Sequence, residues 1–312
     1  MPFPHHNQPI SPIALGGTVF GDQSDDAWLA VMAAALASGI NYFDTASGYA
    51  NGQSEKLIGQ FFAAQRDRRA AIFLASKTTP KEFAAQAMLD EIDQSRARLQ
   101  TDVIDLYYIH WPRQGKELRP WMEGLETARR QGKIGAVGVS NFSVEQMAQV
   151  ATVGKIGVHQ LGYNLFWRFA EREIIPYCRA HNIAITTYSS VAQGVLTGKF
   201  PRDPAFNADD KRPNTVLFDE TVWPHVYAGV EQLKSIAQAT GRSLAHLAIR
   251  WVLQQPGITT AVVGARYPVQ IQENASALAG DIPTEIFQQM TAISDQVMPS
   301  IPNTGNQYRY YP

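Results

Sequence analysis

Short apolar runs alternate with amphipathic, helix-like segments along most of this 312-residue chain. A strand-like segment at 11–21 precedes a helical pattern at 25–39, and the strand NYFDTA precedes the helix SEKLIGQFFAAQ. The pattern predicts about eight short strands, most of them joined by helices, which is typical of a parallel sheet. Its regularity favours a closed (β/α)8 barrel, a fold that typically needs roughly 250 residues. We therefore predict a single barrel domain over 1–312.

An open, doubly wound sheet is the main alternative fold, and the sequence does not favour it. The dinucleotide-binding motif GxGxxG, expected between the first strand and helix of such a sheet, does not occur in the chain. The phosphate-binding pattern GxxxxGK[ST] is also absent.

One segment interrupts the alternation. The polar, proline-rich stretch at 200–223 follows the seventh predicted strand, where an insertion of this length is usually a functional lid or a disordered loop. The C-terminal tail IPNTGNQYRYYP carries three tyrosines. We expect both segments to lie near the mouth of the barrel.

Composition excludes several classes of partner. Lys and Arg total 27 against 28 Asp and Glu, so a chain of net charge −1 offers no electrostatic footprint for nucleic acid. Cys178 is the single cysteine, which allows no disulfide within the chain and suggests a reducing compartment. No apolar run reaches the roughly 18 residues of a membrane span. The first ten residues do not resemble a secretory signal, and their His5 and His6 fit a solvated pair better than a metal site. We expect a cytoplasmic protein.

Ionisable side chains end three of the predicted strands. Asp44 lies at the end of GINYFDTA, Lys77 ends AAIFLASK, and His110 ends VIDLYYIH, while Tyr49 follows Asp44 by five residues. Burying such groups costs several kcal/mol unless they are paired. In a (β/α)8 barrel the carboxyl ends of the strands form the catalytic face, so these side chains predict a site there. A structural Asp–Lys pair with a packed tyrosine is the alternative explanation.

Three later segments also place polar residues after predicted strands: GAVGVSNFS, TTYSSVAQGVLTGK and VVGARYPVQIQEN. Together with GINYFDTASGY, Lys77 and His110, and in this order, they resemble the aldo-keto reductase family over essentially the whole chain. The resemblance implies a (β/α)8 TIM barrel and an NADP(H)-dependent oxidoreductase that reduces aldehydes or ketones. It also implies a catalytic tetrad made of Asp44, Tyr49, Lys77 and His110.

The chemistry of these residue types fits carbonyl reduction. A tyrosine such as Tyr49 can donate a proton to the carbonyl oxygen, but its ordinary pKa of about 10 makes it a reluctant acid. A nearby ammonium from Lys77 would stabilise the phenolate and lower that pKa. Asp44 would hold Lys77 charged and oriented, and His110 would orient the carbonyl.

The resemblance also implies a set of cofactor-binding residues. Those expected at the nicotinamide are Ser140, Asn141, Gln160 and Tyr188. Those expected at the pyrophosphate are Ser189, Gln193, Gly194 and Lys199. Those expected at the adenosine end are Gly264, Arg266, Gln270, Glu273 and Asn274. Ser140 and Asn141 could instead cap the helix that starts near Ser143, and Lys199 could be an ordinary surface lysine.

The adenosine segment departs from the Lys-Ser form of many family members and carries Gly264-Ala265-Arg266. A guanidinium makes bidentate contacts with phosphate, so Arg266 favours NADPH. Because this is the one clear cation in the segment, use of NADH stays open.

The substrate is the least constrained feature. Four aromatic residues lie just beyond predicted strands and could form an apolar pocket or simply pack in loops: Phe20, Trp111, Phe142 and Trp167. The physiological substrate, the reaction direction and the oligomeric state stay open.

Three other functions stay open beside the reductase. The first is an NAD-dependent sugar or pyridoxal-type dehydrogenase. The second is a redox-sensing binding subunit like the family's potassium-channel β-subunits. The third is a metal-dependent hydrolase, for which only His110 and His159 are candidate histidine ligands.

Overall fold

Eight parallel strands close into a barrel in sequence order. The computed structural model describes residues 9–20 and 23–308. Its strands are β1 (Ile13–Gly16), β2 (Tyr42–Asp44), β3 (Phe73–Thr78), β4 (Ile104–Ile109), β5 (Ile134–Ser140), β6 (Val158–Gly162), β7 (Ala184–Tyr188) and β8 (Ile258–Gly264). The barrel closes where β8 pairs with β1, in a register that runs from Ile13 opposite Ala261 to Gly16 opposite Gly264. The predicted (β/α)8 fold is confirmed.

Helices surround the barrel. They are α1 (Asp25–Ala37), α2 (Gln53–Ala63), α3 (Ala85–Leu99), α4 (Arg119–Arg130), α5 (Val144–Val150), α6 (Ile174–Ala180), α7 (Trp223–Thr240), α8 (Leu244–Gln254), α9 (Pro268–Ser276) and α10 (Thr284–Val297). The predicted pattern omits α7 and α8. Pro224 in the first turn of α7 and Gly241, left-handed at its C-terminal cap, mark the ends of α7. None of the helices in the described parts of the chain is long and apolar enough to cross a membrane.

The barrel interior changes from apolar to polar along the strands. Because side chains alternate between the two faces of a strand, residues two apart point the same way. Apolar residues such as Phe73, Leu106 and Tyr108 form a buried cluster inside the barrel. Tyr108 packs tightly there, since a Cβ on Gly138 would lie 2.3 Å from its ring. Lys77 continues the inward series of Phe73 toward the carboxyl end, so the interior ends in polar groups.

The loop at 200–223 has a small aromatic core of its own. Phe218 packs against Phe206, with ring centroids 4.9 Å apart, and stacks on Trp223 at 4.8 Å. The C-terminal segment pairs with this loop, because Val216 N donates to Gln307 O at 3.1 Å. The predicted long loop after β7 is therefore present as an ordered, packed segment. The histidines His5 and His6 and the last two tyrosines, Tyr310 and Tyr311, lie outside the described residues.

Candidate active site

A buried ion pair lies at the carboxyl end of the barrel. Lys77 is fully buried, and its Nζ donates to Asp44 Oδ1 at 2.6 Å and to Thr45 O at 2.7 Å. The second carboxylate oxygen of Asp44 accepts a hydrogen bond from Gln160 Nε2 at 2.8 Å. Burial lowers the pKa of the Lys77 ammonium, and the charge of Asp44 opposes that shift. These bonds satisfy a pair of charges that would otherwise be costly to bury.

Tyr49 and His110 lie against this pair. The Nζ of Lys77 is 5.1 Å from the centroid of the Tyr49 ring. The rings of Tyr49 and His110 are nearly perpendicular, at 78°, with centroids 5.6 Å apart. Burial and the nearby charge of Lys77 hold the pKa of His110 well below its ordinary value, so its imidazole is neutral at pH 7. The three ionisable residues at the predicted strand ends, and Tyr49 beyond the first of them, are thus brought together.

The residues predicted to bind nicotinamide form one hydrogen-bonded group. Asn141, in the left-handed conformation with φ of 64°, donates from Nδ2 to His110 O at 3.1 Å and to Ser140 Oγ at 3.0 Å. Its Oδ1 accepts from the Tyr188 hydroxyl at 2.7 Å. Helix α5 is capped by Ser143, in a reciprocal capping box with Gln146. Ser140 and Asn141 are therefore not the cap of that helix.

Tyr188 offers a flat surface at the end of β7. A Cβ on Gly162 would lie 3.1 Å from its ring, so the backbone of β6 packs closely against it. The ring of Tyr308, from the C-terminal segment, is within 15° of parallel to that of Tyr188, with centroids 6.0 Å apart. The Tyr308 hydroxyl lies 2.9 Å from Ser189 Oγ. The C-terminal segment therefore lies beside the predicted nicotinamide platform.

The loop after β7 turns sharply. Ser189, Gln193 and Gly194 have positive φ values of 55°, 54° and 94°. The backbone N–H of Gly194 donates within the loop, to Val191 O at 3.0 Å. Lys199 packs over this loop, since a Cβ on Gly194 would lie 3.4 Å from its Nζ. The structure thus places the predicted pyrophosphate residues in one segment.

The adenosine segment starts at the end of β8. Gln270 lies in the first turn of α9, and its Oε1 accepts from Arg266 N at 2.8 Å. Gln23, between β1 and α1, donates to Arg266 O at 3.1 Å. Glu273 and Asn274 lie further along α9, where Glu273 is exposed. These hydrogen bonds hold the backbone at Arg266, two residues after the end of β8 at Gly264.

Arg212 is a residue of this region that the sequence interpretation missed. Its guanidinium lies over the rings of Phe200 and Phe206, 5.1 and 5.4 Å from their centroids, and pairs with Asp210. Lys199 is exposed, but partial desolvation and the charges of Arg212 and Arg266 lower the pKa of its ammonium. Lys199, Arg212 and Arg266 therefore form a cation cluster. In the sequence, only the many charged residues of this loop pointed to Arg212. The sequence does not show where such a loop lies relative to the barrel.

His159 lies in the protein interior. It is fully buried, and its Nε2 accepts from Phe142 N at 3.2 Å, just beyond the Asn141 turn. Burial lowers its pKa to about 4. Within 9–20 and 23–308, no group of three or more His, Cys, Asp or Glu side chains could hold a metal ion. The hydrolase alternative gains no support from this part of the chain.

The pKa of His159 predicts a pH dependence of stability. The unfolded chain binds a proton on His159 near pH 6.5, whereas the folded protein does so only near pH 4. The neutral, buried imidazole therefore contributes fully to stability above pH 6.5. This contribution, up to about 3 kcal/mol, is lost as the pH falls from 6.5 to about 4. Urea unfolding measures the free energy of unfolding at pH 7 and at pH 4.5. Between these two pH values, that free energy should fall less in His159→Gln than in the wild type. Equal losses would contradict the assignment.

The aromatic residues predicted to line a substrate pocket differ in their surroundings. The Trp111 ring lies beside that of His110, with centroids 5.9 Å apart. Phe20 is 2% exposed and packs on Trp28 at 4.7 Å. Phe142 is buried, and Trp167 packs against Phe169. Of the four, Trp111 has the clearest contact with the ionisable group.

Comparison with known proteins agrees with this geometry. Residues 12–295 match the model of the Aldo/keto reductase family. The chain is 36% identical over 268 residues to the aldo-keto reductase YhdN of Bacillus subtilis, covering 83% of this chain and 81% of that protein. It matches a glycerol dehydrogenase from Gluconobacter oxydans with a TM-score of 0.86 and 31% identity, over 97% and 96% of the two chains. It matches an aldo-keto reductase from Klebsiella pneumoniae, solved with NADPH, with a TM-score of 0.76 and 27% identity, over 96% and 94%. With a family match over most of its length, the chain belongs to the aldo/keto reductase family.

Proposed function

We propose that this protein is an NADP(H)-dependent oxidoreductase that reduces aldehydes or ketones to alcohols, with Tyr49 as the proton donor. The observation that carries the proposal is the buried, paired ammonium of Lys77 lying 5.1 Å from the centroid of the Tyr49 ring. A packed structural pair would not require an ionisable tyrosine and a neutral histidine beside it. Perturbed ionisable groups gathered at the catalytic face of a barrel are typical of an active site.

The residues present suit a dinucleotide. The positive charge of Lys199, Arg212 and Arg266, beside the turn at 189–194, suits a pyrophosphate and a further phosphate. Lys199, Arg212 and Arg266 bring like charges together beside Asp210, and a bound anion would lower their mutual repulsion. Asn141 and Tyr188 provide an amide and a flat ring for the nicotinamide. When bound, such a cofactor supplies the hydride.

The chain's own residues handle the proton. Tyr49 donates its phenolic proton to the carbonyl oxygen as the carbonyl carbon is reduced by hydride. A nearby ammonium favours the phenolate that remains, which is the role of Lys77. Neutral His110 can donate one ring N–H to the same oxygen and orient it. General acid catalysis of this kind contributes typically about 10²–10⁴-fold.

The preference for NADPH rests on Arg266, and its removal should separate the two cofactors. A hydrogen bond to a charged group is worth roughly 1.5–3 kcal/mol, or about ten- to a hundred-fold in affinity. Arg266→Ala should weaken NADPH binding by that factor and leave NADH binding nearly unchanged, because NADH carries a neutral 2′-hydroxyl. Titrations of nicotinamide fluorescence with both cofactors measure this.

Three outcomes would change the assignment. Equal loss for both cofactors would mean that Arg266 supports the adenosine generally. No loss for either would move the phosphate site within the cation cluster, to Lys199 or Arg212. Wild-type protein that binds NADH as tightly as NADPH would contradict the preference and favour an NAD-dependent dehydrogenase.

Alcohol oxidation is the second candidate function. The similarity to a glycerol dehydrogenase over 97% of this chain favours it. The same residues would act in reverse, with the Tyr49 phenolate accepting the proton of the alcohol. Initial rates with aldehydes and ketones, and with polyols and sugars, distinguish the two directions. The direction with the larger kcat/KM identifies the function.

A further inference from the structure

The turn that carries Tyr49 adopts an unfavourable backbone. Ala50, Asn51 and Gly52 follow one another with φ values of 46°, 53° and 85°. Only glycine adopts the left-handed region without a steric penalty, so Ala50 and Asn51 are strained there. Such a conformation persists only where surrounding contacts impose it. The contacts on either side of the turn therefore decide where the Tyr49 ring lies.

The two ends of the turn are held by different means. Before Tyr49, the backbone is bonded to β3, where Ser47 N donates to Lys77 O at 2.9 Å. After the Tyr49 turn, the chain is held by two fully buried polar side chains at the start of α2, Ser54 and Glu55. Ser54 Oγ donates to Gly17 O at 3.0 Å. Glu55 supplies the one charged anchor of the first turn of α2.

The carboxylate of Glu55 joins three elements of the fold. It accepts hydrogen bonds of 2.5 Å from Ser76 Oγ on β3 and from Arg98 Nε on α3. Ser76 directly precedes Lys77, and because side chains alternate along a strand, it faces the helices while Lys77 faces the barrel interior. Arg98 also packs under the turn, since a Cβ on Gly52 would lie 3.0 Å from its Cδ. One side chain thus links the Tyr49 turn to the strand that carries Lys77.

We propose that Glu55 is a positioning residue for proton transfer. Through Ser76 and Arg98, its carboxylate sets the position of the Tyr49 turn relative to Lys77. This inference rests on the proposed role of Tyr49 as the proton donor. Glu55 touches neither substrate nor cofactor in this scheme, and it acts through the residues that do. Its loss should therefore lower turnover while cofactor affinity changes little.

The charge of Glu55 gives the proposal a second readout. The titratable groups around it are Lys77 of β3, Arg98 and Glu91 of α3, and Tyr107 of β4. Its negative charge raises the pKa of Lys77, in opposition to burial. Removing that charge lowers the pKa of Lys77, and with it the support that the ammonium gives the Tyr49 phenolate. The pH midpoint for alcohol oxidation, which needs that phenolate, should therefore shift from its wild-type position.

The test compares Glu55→Gln with Asp105→Asn. Asp105 is a matched control, because its carboxylate anchors the opposite end of β3 by accepting from Leu74 N and from Arg69 Nη2, both at 2.9 Å. Glu55→Gln should lower kcat for carbonyl reduction about ten- to a hundred-fold, as expected when a catalytic group is misplaced by roughly 1 Å. It should also shift the pH midpoint of oxidation away from the wild-type value. Asp105→Asn should lower Tm but change neither quantity.

The outcomes separate this inference from the proposed function. Wild-type kcat and pH midpoint in Glu55→Gln would overturn it, as would a fall in kcat that both variants share in proportion to Tm. If Glu55→Gln does not fold, Ser76→Ala tests the same link by removing one hydroxyl, and unchanged kcat there overturns the proposal. Tyr49→Phe measured alongside reports on the proposed function, since only failure of that function would leave this variant active.

Discussion

Replacing Tyr49 with phenylalanine will lower kcat for carbonyl reduction by at least about 10²-fold, the typical contribution of a general acid. The variant keeps the ring, whose centroid lies 5.1 Å from Lys77 Nζ and 5.6 Å from that of His110, and loses only the hydroxyl. Packing and cofactor affinity should therefore change little. Steady-state reduction of an aldehyde panel, with NADPH titration for binding, measures both quantities.

A second tyrosine of the site, Tyr188, offers a matched control. Tyr188→Phe also removes one phenolic hydroxyl, the one that donates to Asn141 Oδ1. We expect that change to alter cofactor binding more than the proton step. Near wild-type turnover in Tyr49→Phe would exclude Tyr49 as the acid and would make His110 the candidate to test next.

Replacing Lys77 with methionine will remove most activity at neutral pH. Methionine keeps an unbranched stem of similar length but provides no ammonium to stabilise the Tyr49 phenolate. We expect kcat to fall by at least about 10²-fold, as for loss of the acid itself. Stability should also fall, by roughly 3–5 kcal/mol, because Asp44 becomes a buried charge without its partner.

A double variant separates these two effects. Lys77→Met combined with Asp44→Asn removes both charges, so much of the lost stability should return while activity stays low. Urea unfolding and steady-state kinetics on the two variants measure this. Recovery of turnover in the double variant would contradict the role of Lys77, because it would show that the single variant failed only through instability.

The fold follows from local patterns in the sequence. Short apolar runs and helical segments each depend on residues close in the chain, and their regular alternation implies a parallel sheet. The convergence of Asp44, Lys77 and His110 was predictable for the same reason, because the carboxyl ends of parallel strands meet at one face of a barrel. The pattern did not identify α7 and α8, which follow the irregular 200–223 loop.

The sequence by itself therefore determined the barrel, the family resemblance and the identity of the ionisable groups at the catalytic face. Only the tertiary structure decided their partners. Gln160 bonds to Asp44 across 116 positions, and Tyr188 bonds to Asn141 across 47. Arg212 and Glu55 likewise acquire their neighbours from loops and helices that meet only in the folded chain. Such contacts depend on barrel closure and side-chain rotamers, which no local pattern of residues encodes.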